Sequence, residues 1–394
     1  MGYNGNLRAS IDSRMRPGGG ADINIKQNKV NFFAAAQFNM RKSLADNSTD
    51  RIDYPANNTA ITTQENNPLN KGYFGFGRAG IDFLMTNRTT LSVSGNYMQG
   101  NFKVKDQLKI AKDTIKNWGT VSETSIRDLS ADISFKNTGA SIGVKHNFAK
   151  AGKEWTADAN YNRNHNRNVS NYSSRYFDSY GNEKPYQGAE KAEGGSSTAF
   201  YTFQTDFVNP LGKNIKFETG LRAAFRDYES WNDNFRQIPP STLFTPLTAT
   251  NVDFDFEDVV YAAYGIYSQQ IKNFSYQLGL RTERSSYKGF LRSKNERFAN
   301  EYPVSLFPSV FLSQKINSRQ DVQLNYSRKI SRPGFFQILP FVDFSDSLNL
   351  SVGNPDLRPE FSQLAELSYN NNYKTGHSVL ATAYARYSDN LITR

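Results

Sequence analysis

The chain has 394 residues, a formal net charge of +10, 38% hydrophobic and 14% aromatic residues, 3 histidines and no cysteine. The hydrophobic share lies below the roughly 45–50% of ordinary globular domains, yet Tyr and Phe are abundant, which argues against a conventional soluble core and suits strands with one apolar face around a polar lumen. Without cysteine there is no disulfide frame or thiolate site, no run approaches 18 apolar residues, and the Lys and Arg are interleaved with Asp, Glu and Asn rather than clustered, which sets nucleic-acid binding aside.

Period-2 alternation recurs from end to end. A first strand is predicted over residues 3–12. Farther on, Leu91, Val93 and Tyr97 oppose Ser92, Ser94 and Asn96, and Trp155, Ala157, Ala159 and Tyr161 oppose Thr156, Asp158, Asn160 and Asn162. Ile215, Phe217, Leu221 and Phe225 share one face, with Lys216, Glu218, Arg222 and Arg226 on the other. Phe274, Tyr276, Leu278 and Leu280 oppose Gln277, Arg281 and Glu283, and Val322, Leu324 and Tyr326 oppose Gln323, Asn325 and Ser327. A last strand over 378–387 carries apolar residues on both faces. The pattern predicts about 15 strands of roughly 8–14 residues, near the roughly 9–11 that cross a bilayer at a tilt.

Tight turns are expected at Asn28 and at 85–89, 149–153, 210–213, 272–273, 317–320 and 371–377. Longer polar connections are expected at 14–19, 43–70, 106–137, 170–196, 227–256, 286–302 and 331–358. Short and long connections alternate strictly, as in an outer-membrane barrel with short periplasmic turns and longer extracellular loops. The fold class expected is therefore all-β, an antiparallel transmembrane β-barrel occupying 1–394 as a single domain. Its polar start (Met1-Gly2-Tyr3-Asn4) and odd strand count lead us to expect an incomplete barrel, because bacterial barrels have an even number of strands.

Two segments carry a family resemblance. Tyr326-Ser327-Arg328 leads into Ser331-Arg332-Pro333, Leu339-Pro340-Phe341 and then Gly353-Asn354-Pro355-Asp356-Leu357-Arg358-Pro359-Glu360. This resembles the barrel signature of Bacteroidetes TonB-dependent receptors, more narrowly their outer membrane beta-barrel family. The start, Gly18-Gly19-Gly20-Ala21-Asp22-Ile23-Asn24-Ile25, is similar to that family's first barrel hairpin. The resemblance implies an outer-membrane receptor of about 22 strands, with about 7 of them and the plug domain outside this chain. It also implies import of a scarce nutrient, driven by a TonB complex that is reached through an N-terminal region absent here. The partners implied are outer-membrane lipid, the TonB complex and a small ligand that the sequence does not identify.

Catalysis has little to work with. His146, His165 and His377 are scattered, and no nucleophile–base arrangement is indicated, so the reading is not an enzyme, with no cofactor and no metal. Asp253, Asp255 and Glu257 alternate onto one face, and Asp343 and Asp346 fall in the signature loop. Calcium needs 6–8 oxygen ligands, so a solvated rim is the preferred reading. The lumen-facing Lys216, Arg222, Arg226, Arg281 and Glu283 are candidates for contact with a substrate or plug. The loop aromatics Tyr172, Tyr176, Tyr180, Trp231 and Phe235 are candidates for a ligand platform, with Tyr172, Tyr176 and Trp231 foremost. Trp155, Phe148, Tyr373 and Phe274, beside the short turns, are expected in the periplasmic girdle. Two rival readings are an unplugged porin-like or secretion barrel, and a surface adhesin anchored by its barrel.

Overall fold

Alternating side chains and tight turns give a chain that is almost wholly strand. The computed structural model describes residues 2–54, 58–185, 188–238, 241–338, 342–343 and 351–393. The first half contains β1 (Gly2–Ile11), β2 (Pro17–Gln27), β3 (Val30–Leu44), β4 (Asn47–Asp53), β5 (Thr59–Asn66), β6 (Leu69–Thr86), β7 (Thr89–Lys116), β8 (Gly119–Asn147), β9 (Glu154–Phe177) and β10 (Gly188–Pro210). There follow β11 (Ile215–Gln237), β12 (Phe244–Pro246), β13 (Val252–Ile271), β14 (Phe274–Leu291), β15 (Glu296–Lys315) and β16 (Gln320–Ser331). One helical turn, α1 (Phe335–Ile338), precedes β17 (Val342–Asp343), β18 (Ser351–Val352), β19 (Glu360–Lys374) and β20 (His377–Asp389).

Setting aside the short accessory strands β4, β5, β12, β17 and β18, fifteen strands follow one another as antiparallel neighbours from β1 to β20. This matches the count expected from the alternation. Among the described residues β1 pairs only with β2, and β20 only with β19, so the sheet is open.

The register gives the sheet its two faces. Val144, Ala157, Thr205, Leu221, Ala263 and Thr282 are successive cross-strand neighbours from β8 to β14. The adjacent row, Gly143, Asp158, Gln204, Arg222, Ala262 and Glu283, points the other way. On the first face large apolar side chains lie open, with Leu221 at 59%, Leu280 at 50% and Val304 at 63% exposure. A contiguous apolar belt of this kind is not tolerated in water. In hydrocarbon it is the stable surface, because the ladders satisfy the backbone internally.

Aromatic residues border the belt at both edges. Beside the 148–153 turn, the Phe148 ring stands edge-on to His146 (4.6 Å) and Phe207 (6.0 Å), with the Lys153 ammonium 4.8 Å from the Phe148 centroid. At the opposite edge Tyr161 packs on Tyr201 at 5.0 Å, and Phe225 adjoins Tyr261 at 5.8 Å. The expected short turns all occur, two of them with non-glycine residues at positive φ next to the β2–β3 and β13–β14 strand ends (Asn28 52°, Lys272 52°). Gly376 (φ 78°) makes the β19–β20 turn, where a side chain would be strained.

The longer connections differ from expectation. Residues 106–137 are not an irregular loop. β7 and β8, of 28 and 29 residues, stay paired up to Lys116 and Gly119 and form a hairpin that projects beyond the belt. Much of 170–196, 227–256 and 286–302 is likewise strand. Above the bilayer neither face has to be apolar, so the alternation fades while the backbone pairing continues.

Candidate functional site

The inner face is polar along its length. Near the short turns it forms a recess of about 360 Å³ lined by Phe33, Arg78, Asp82, Ser92, Ser94, Asp158 and Asn160, among others. Asp82 accepts hydrogen bonds from Asn31 (3.1 Å) and Ser92 (2.7 Å), and Arg78 lies 5.2 Å over the Phe33 ring. Farther up, Asn137 donates to Asn162 (2.7 Å) and accepts from Asn96 (3.3 Å), a cross-strand amide ladder over β7, β8 and β9. Tyr264 donates to Asp206 at 2.5 Å.

The expected lumen residues all occupy this wall, but the structure does not gather them into one site. Lys216 pairs with Glu218 at the short-turn end of β11. Arg222 is exposed and forms no ion pair among the described residues. Arg226 makes a two-pronged contact with Asp258 (Nε–Oδ1 2.9 Å, NH2–Oδ2 2.8 Å), and its guanidinium lies 5.6 Å over the Phe256 ring. Arg281 and Glu283 do meet, at 2.6 Å.

Glu283 also receives Arg332 of the signature segment at 2.5 Å, and Arg332 Nε donates to Ser285 Oγ at 3.0 Å. The Glu283 side chain is only 10% exposed, so two guanidiniums converge on a carboxylate largely shielded from water. The described ends of the 332–359 connection, at Arg332 to Ile338 and Pro355 to Leu357, therefore lie against the inner wall formed by β13, β14 and β15. Its seat is apolar: Phe256, Tyr287, Tyr302 and Ile338 form one buried cluster, with Leu357 and Phe298 packed against it. Tyr287 donates to the Pro355 carbonyl (2.8 Å) and Tyr302 to the Leu357 carbonyl (3.3 Å).

The signature residues serve this seat. Asn354 N–H donates to the Gln337 carbonyl at 2.7 Å, and the Asn354 side chain accepts from Asp356 N–H at 2.9 Å, an Asx turn that shapes the stretch. Pro359 is buried, and Glu360 receives Arg386 of β20 at 3.3 Å. Gly353 is half-buried, while Asp356 and Arg358 point to solvent. Leu339, Pro340, Phe341 and Asp346 lie outside the described residues.

The loop aromatics do not form one platform. Register puts Tyr172 and Tyr176 on the inner face of β9 and Trp231 on the outer face of β11. Phe235 shares the outer side with Trp231, and Tyr180 is exposed in the β9–β10 turn. Sequence gave the alternation of each strand but not how the inward parity carries across a loop. The inner pair belongs to a cluster that sequence reasoning missed. Arg127 lies 4.2 Å over the Tyr172 ring and binds Glu190 (3.0 Å), which also accepts two hydrogen bonds from Arg236 (3.0 and 2.7 Å). The residues come from β8, β9, β10 and β11, and only cross-strand register brings them together.

Asp253, Asp255 and Glu257 face outward and are neutralised by cations. Arg292 contacts Asp253 (3.2 Å) and Asp255 (2.6 Å), and Lys288 contacts Glu257 (2.8 Å). The histidines stay apart: His146 bonds Thr89 at 2.8 Å near the short turns, and His377 stacks on Tyr373. In the outer hairpins, Lys184 binds Glu123 at 2.8 Å, and this hydrogen bond holds the Glu123 carboxyl below its usual range.

Residues 146–394 match the model of the outer membrane protein beta-barrel family. Among solved structures the chain is similar to the ferripyoverdine receptor of the outer membrane of Pseudomonas aeruginosa, with a TM-score of 0.57 and 14% identity over 98% of this chain and 48% of that one. It is also similar to the copper transporter OprC, with a TM-score of 0.56 and 13% identity over 98% of this chain and 54% of that one. The chain thus spans about half the length of these structures, and at such identities the likeness is one of fold. No curated protein matches the sequence.

Proposed function

Because this chain belongs to the outer membrane protein beta-barrel family, we propose that it forms the wall of an outer-membrane receptor that admits a scarce nutrient through a gated lumen. The family and the fold place it in the outer membrane, with an apolar belt toward lipid and the long hairpins on the side away from the short turns. The observation that carries the reading is the inward seat of the described ends of the 332–359 connection. A polar wall that only passed solutes would not need a shielded carboxylate gripping a loop on its inner face. Arg332, Glu283 and the Tyr287–Tyr302 cluster hold that loop where a ligand entering from outside would meet it.

The resemblance of the Gly353-to-Glu360 stretch supports the finer reading, an energised receptor of the Bacteroidetes type that works with TonB through a region preceding this chain. Within that reading, residues 1–394 act as one barrel domain, and Arg222, an exposed cation of the wall with no ion pair among the described residues, is the residue we assign to a ligand or plug. Tyr172 and Tyr176, with Arg127, Glu190 and Arg236, line the outer part of the same face.

The test uses the full-length protein in proteoliposomes and in cells. Wild type should pass no arabinose in a swelling assay, and cells should accumulate a nutrient from a defined panel only while the receptor gene is present and the proton gradient intact. Rapid passive entry of arabinose would favour the porin-like reading. Accumulation indifferent to deletion of the gene across the whole panel would favour a barrel that only anchors a surface activity.

A further inference from the structure

The outward face of β8 and β9 carries three cations, Lys136, Arg163 and Arg167, set around His165 and with no role in the lumen. Lys136 and His165 are directly opposed in the β8–β9 register, and Arg163 and Arg167 flank His165 on the same face of β9. All four are exposed, and none has an ion pair or hydrogen bond among the described residues. Lys136 lies diagonally across from Arg163 and Arg167, within reach of long side chains, so the three like charges stand close together without an anion between them. Two outward cations of the neighbouring hairpins do find carboxylates: Arg175 pairs with Asp128 and Lys103 with Asp132. Glu193, the carboxylate whose charge reaches Arg167, is already engaged by Lys191.

The height of the group narrows its partner. Arg163 stands one outward position above Tyr161, which ends the apolar run Trp155, Ala157, Ala159, Tyr161 and packs on Tyr201 at 5.0 Å. The cations therefore sit where the outer leaflet's headgroups begin. Opposite Arg163, His165 and Arg167, β10 presents Ala199, Ser197 and Gly195, a floor of small neutral residues. The Trp231 ring bounds that floor, since a Cβ on Gly195 would come within 2.9 Å of the indole nitrogen. Lower on the same face an apolar groove of about 800 Å³ starts at Ile142, Val144, Ala157 and Ala159 and continues past Phe203 and Leu221.

We propose that this surface binds a phosphate-bearing lipid of the outer leaflet, its phosphate held by Lys136, Arg163, His165 and Arg167 and an acyl chain lying in the groove beneath. Two observations converge on a lipid. The unpaired cations call for an anion, and the apolar groove lower on the same face, beyond Tyr161 and within the belt, calls for a flexible apolar chain. A soluble polyanion would satisfy the first and gain nothing from the second. The proposal rests on the membrane placement of the sheet alone and is independent of what the lumen carries.

The probe is bisphosphorylated lipid A, titrated into the full-length protein in a neutral detergent and followed by native mass spectrometry. Heat-modifiable gel mobility checks that each variant is folded. Each basic residue near an anionic lipid contributes about fivefold, so the K136Q/R163Q/R167Q variant should lose on the order of 100-fold in affinity. The charge-keeping K136R/R163K/R167K variant should retain binding, and dephosphorylated lipid A should bind wild type as weakly as lipid A binds the glutamine variant. Ala159→Trp, which fills the near end of the groove, should weaken lipid A but leave inorganic polyphosphate binding unchanged. Equal lipid A affinity for wild type and the folded glutamine variant would overturn the assignment. So would polyphosphate binding to wild type as tightly as lipid A, which would make the patch a site for soluble polyanions.

Discussion

Replacing Glu283 by alanine should release the signature loop while leaving the sheet intact. The Glu283 side chain is 10% exposed, and its two partners, Arg281 and Arg332, are 36% and 30% exposed. Removing one member of a buried ion pair costs roughly 3–5 kcal/mol. Water reaches the two guanidiniums here, which reduces the penalty to about 2–3 kcal/mol. Only the Arg332 arm ties the loop to the wall, and a charge-assisted hydrogen bond contributes roughly 1.5–3 kcal/mol, in the same range. At about 1.4 kcal/mol per tenfold, the open population of the loop should rise roughly 30–150-fold. Hydrogen exchange by mass spectrometry on the full-length protein reads this directly in peptides covering 332–338 and 351–359, with the β7–β8 hairpin as internal control. Arg332→Ala should give nearly the same increase, and the double variant little more than either single one, because the two residues share one interaction. Unchanged exchange in E283A, or full additivity in the double variant, would show that the loop is held by its apolar seat alone and that the ion pair is incidental.

Tyr287→Phe should cost about 1 kcal/mol in the same exchange assay, since it leaves the Pro355 carbonyl without its donor inside the cluster. Leu221→Arg should lower folding yield in lipid bilayers far more than Arg222→Leu, because an outward charge at mid-belt costs roughly 2–4 kcal/mol while the lumen tolerates either residue. A cysteine at Ser179, in the exposed β9–β10 turn, should react with an impermeant maleimide on intact cells, and one at Lys213 should not; the reverse pattern would invert the topology. Glu123 has a depressed pKa, so its link to Lys184 is fully formed above the ordinary Glu value of about 4.3 and is lost as pH falls through the lower folded value. Proteolysis of the 178–185 segment should rise over that acidic window and stay flat between pH 6 and 8.

The belt was legible because a bilayer imposes a hard rule on every second residue. Leu221 beside Arg222, or Leu280 beside Arg281, admits one orientation only, and the tight turns at Asn28, Lys272 and Gly376 fix where each strand reverses. Beyond the belt that rule lapses. Gln107, Lys109, Lys112 and Asp113 alternate with nothing a solvent would enforce, so residues 106–116 and 119–137 read as loop although their backbone stays paired. The candidate site was legible in its parts and not in its assembly. Lys216, Arg222, Arg226, Arg281 and Glu283 do share the inner face, but no pattern along one strand reveals that Glu190 will collect Arg127 and Arg236 from two others. Trp231 went astray for the same reason: it sits in step with Asp227 and Glu229, on the face turned away from Tyr172.

The signature stretch illustrates how a conspicuous motif can be concerned with closure rather than contact with a ligand. In the segment from Gly353 to Glu360, Asn354 closes a turn on its own backbone and Pro355 and Leu357 offer carbonyls to Tyr287 and Tyr302. Leu357 also fills the space beside Ile338, and Glu360 ties the start of β19 to Arg386 of β20. Asn354, Asp356 and Arg358 are exposed, and of these three only Asn354 takes part in the contacts just named, through its own backbone turn. Backbone carbonyls as the accepting groups demand a fixed chain path more than fixed side chains, which fits two prolines in so short a stretch, since proline restricts φ and lowers the entropy lost on seating. Among the described residues the stretch is thus held by backbone carbonyls on Tyr287 and Tyr302, by Leu357 against the buried cluster and by Arg332 on Glu283, so one path of the chain satisfies all of these contacts together.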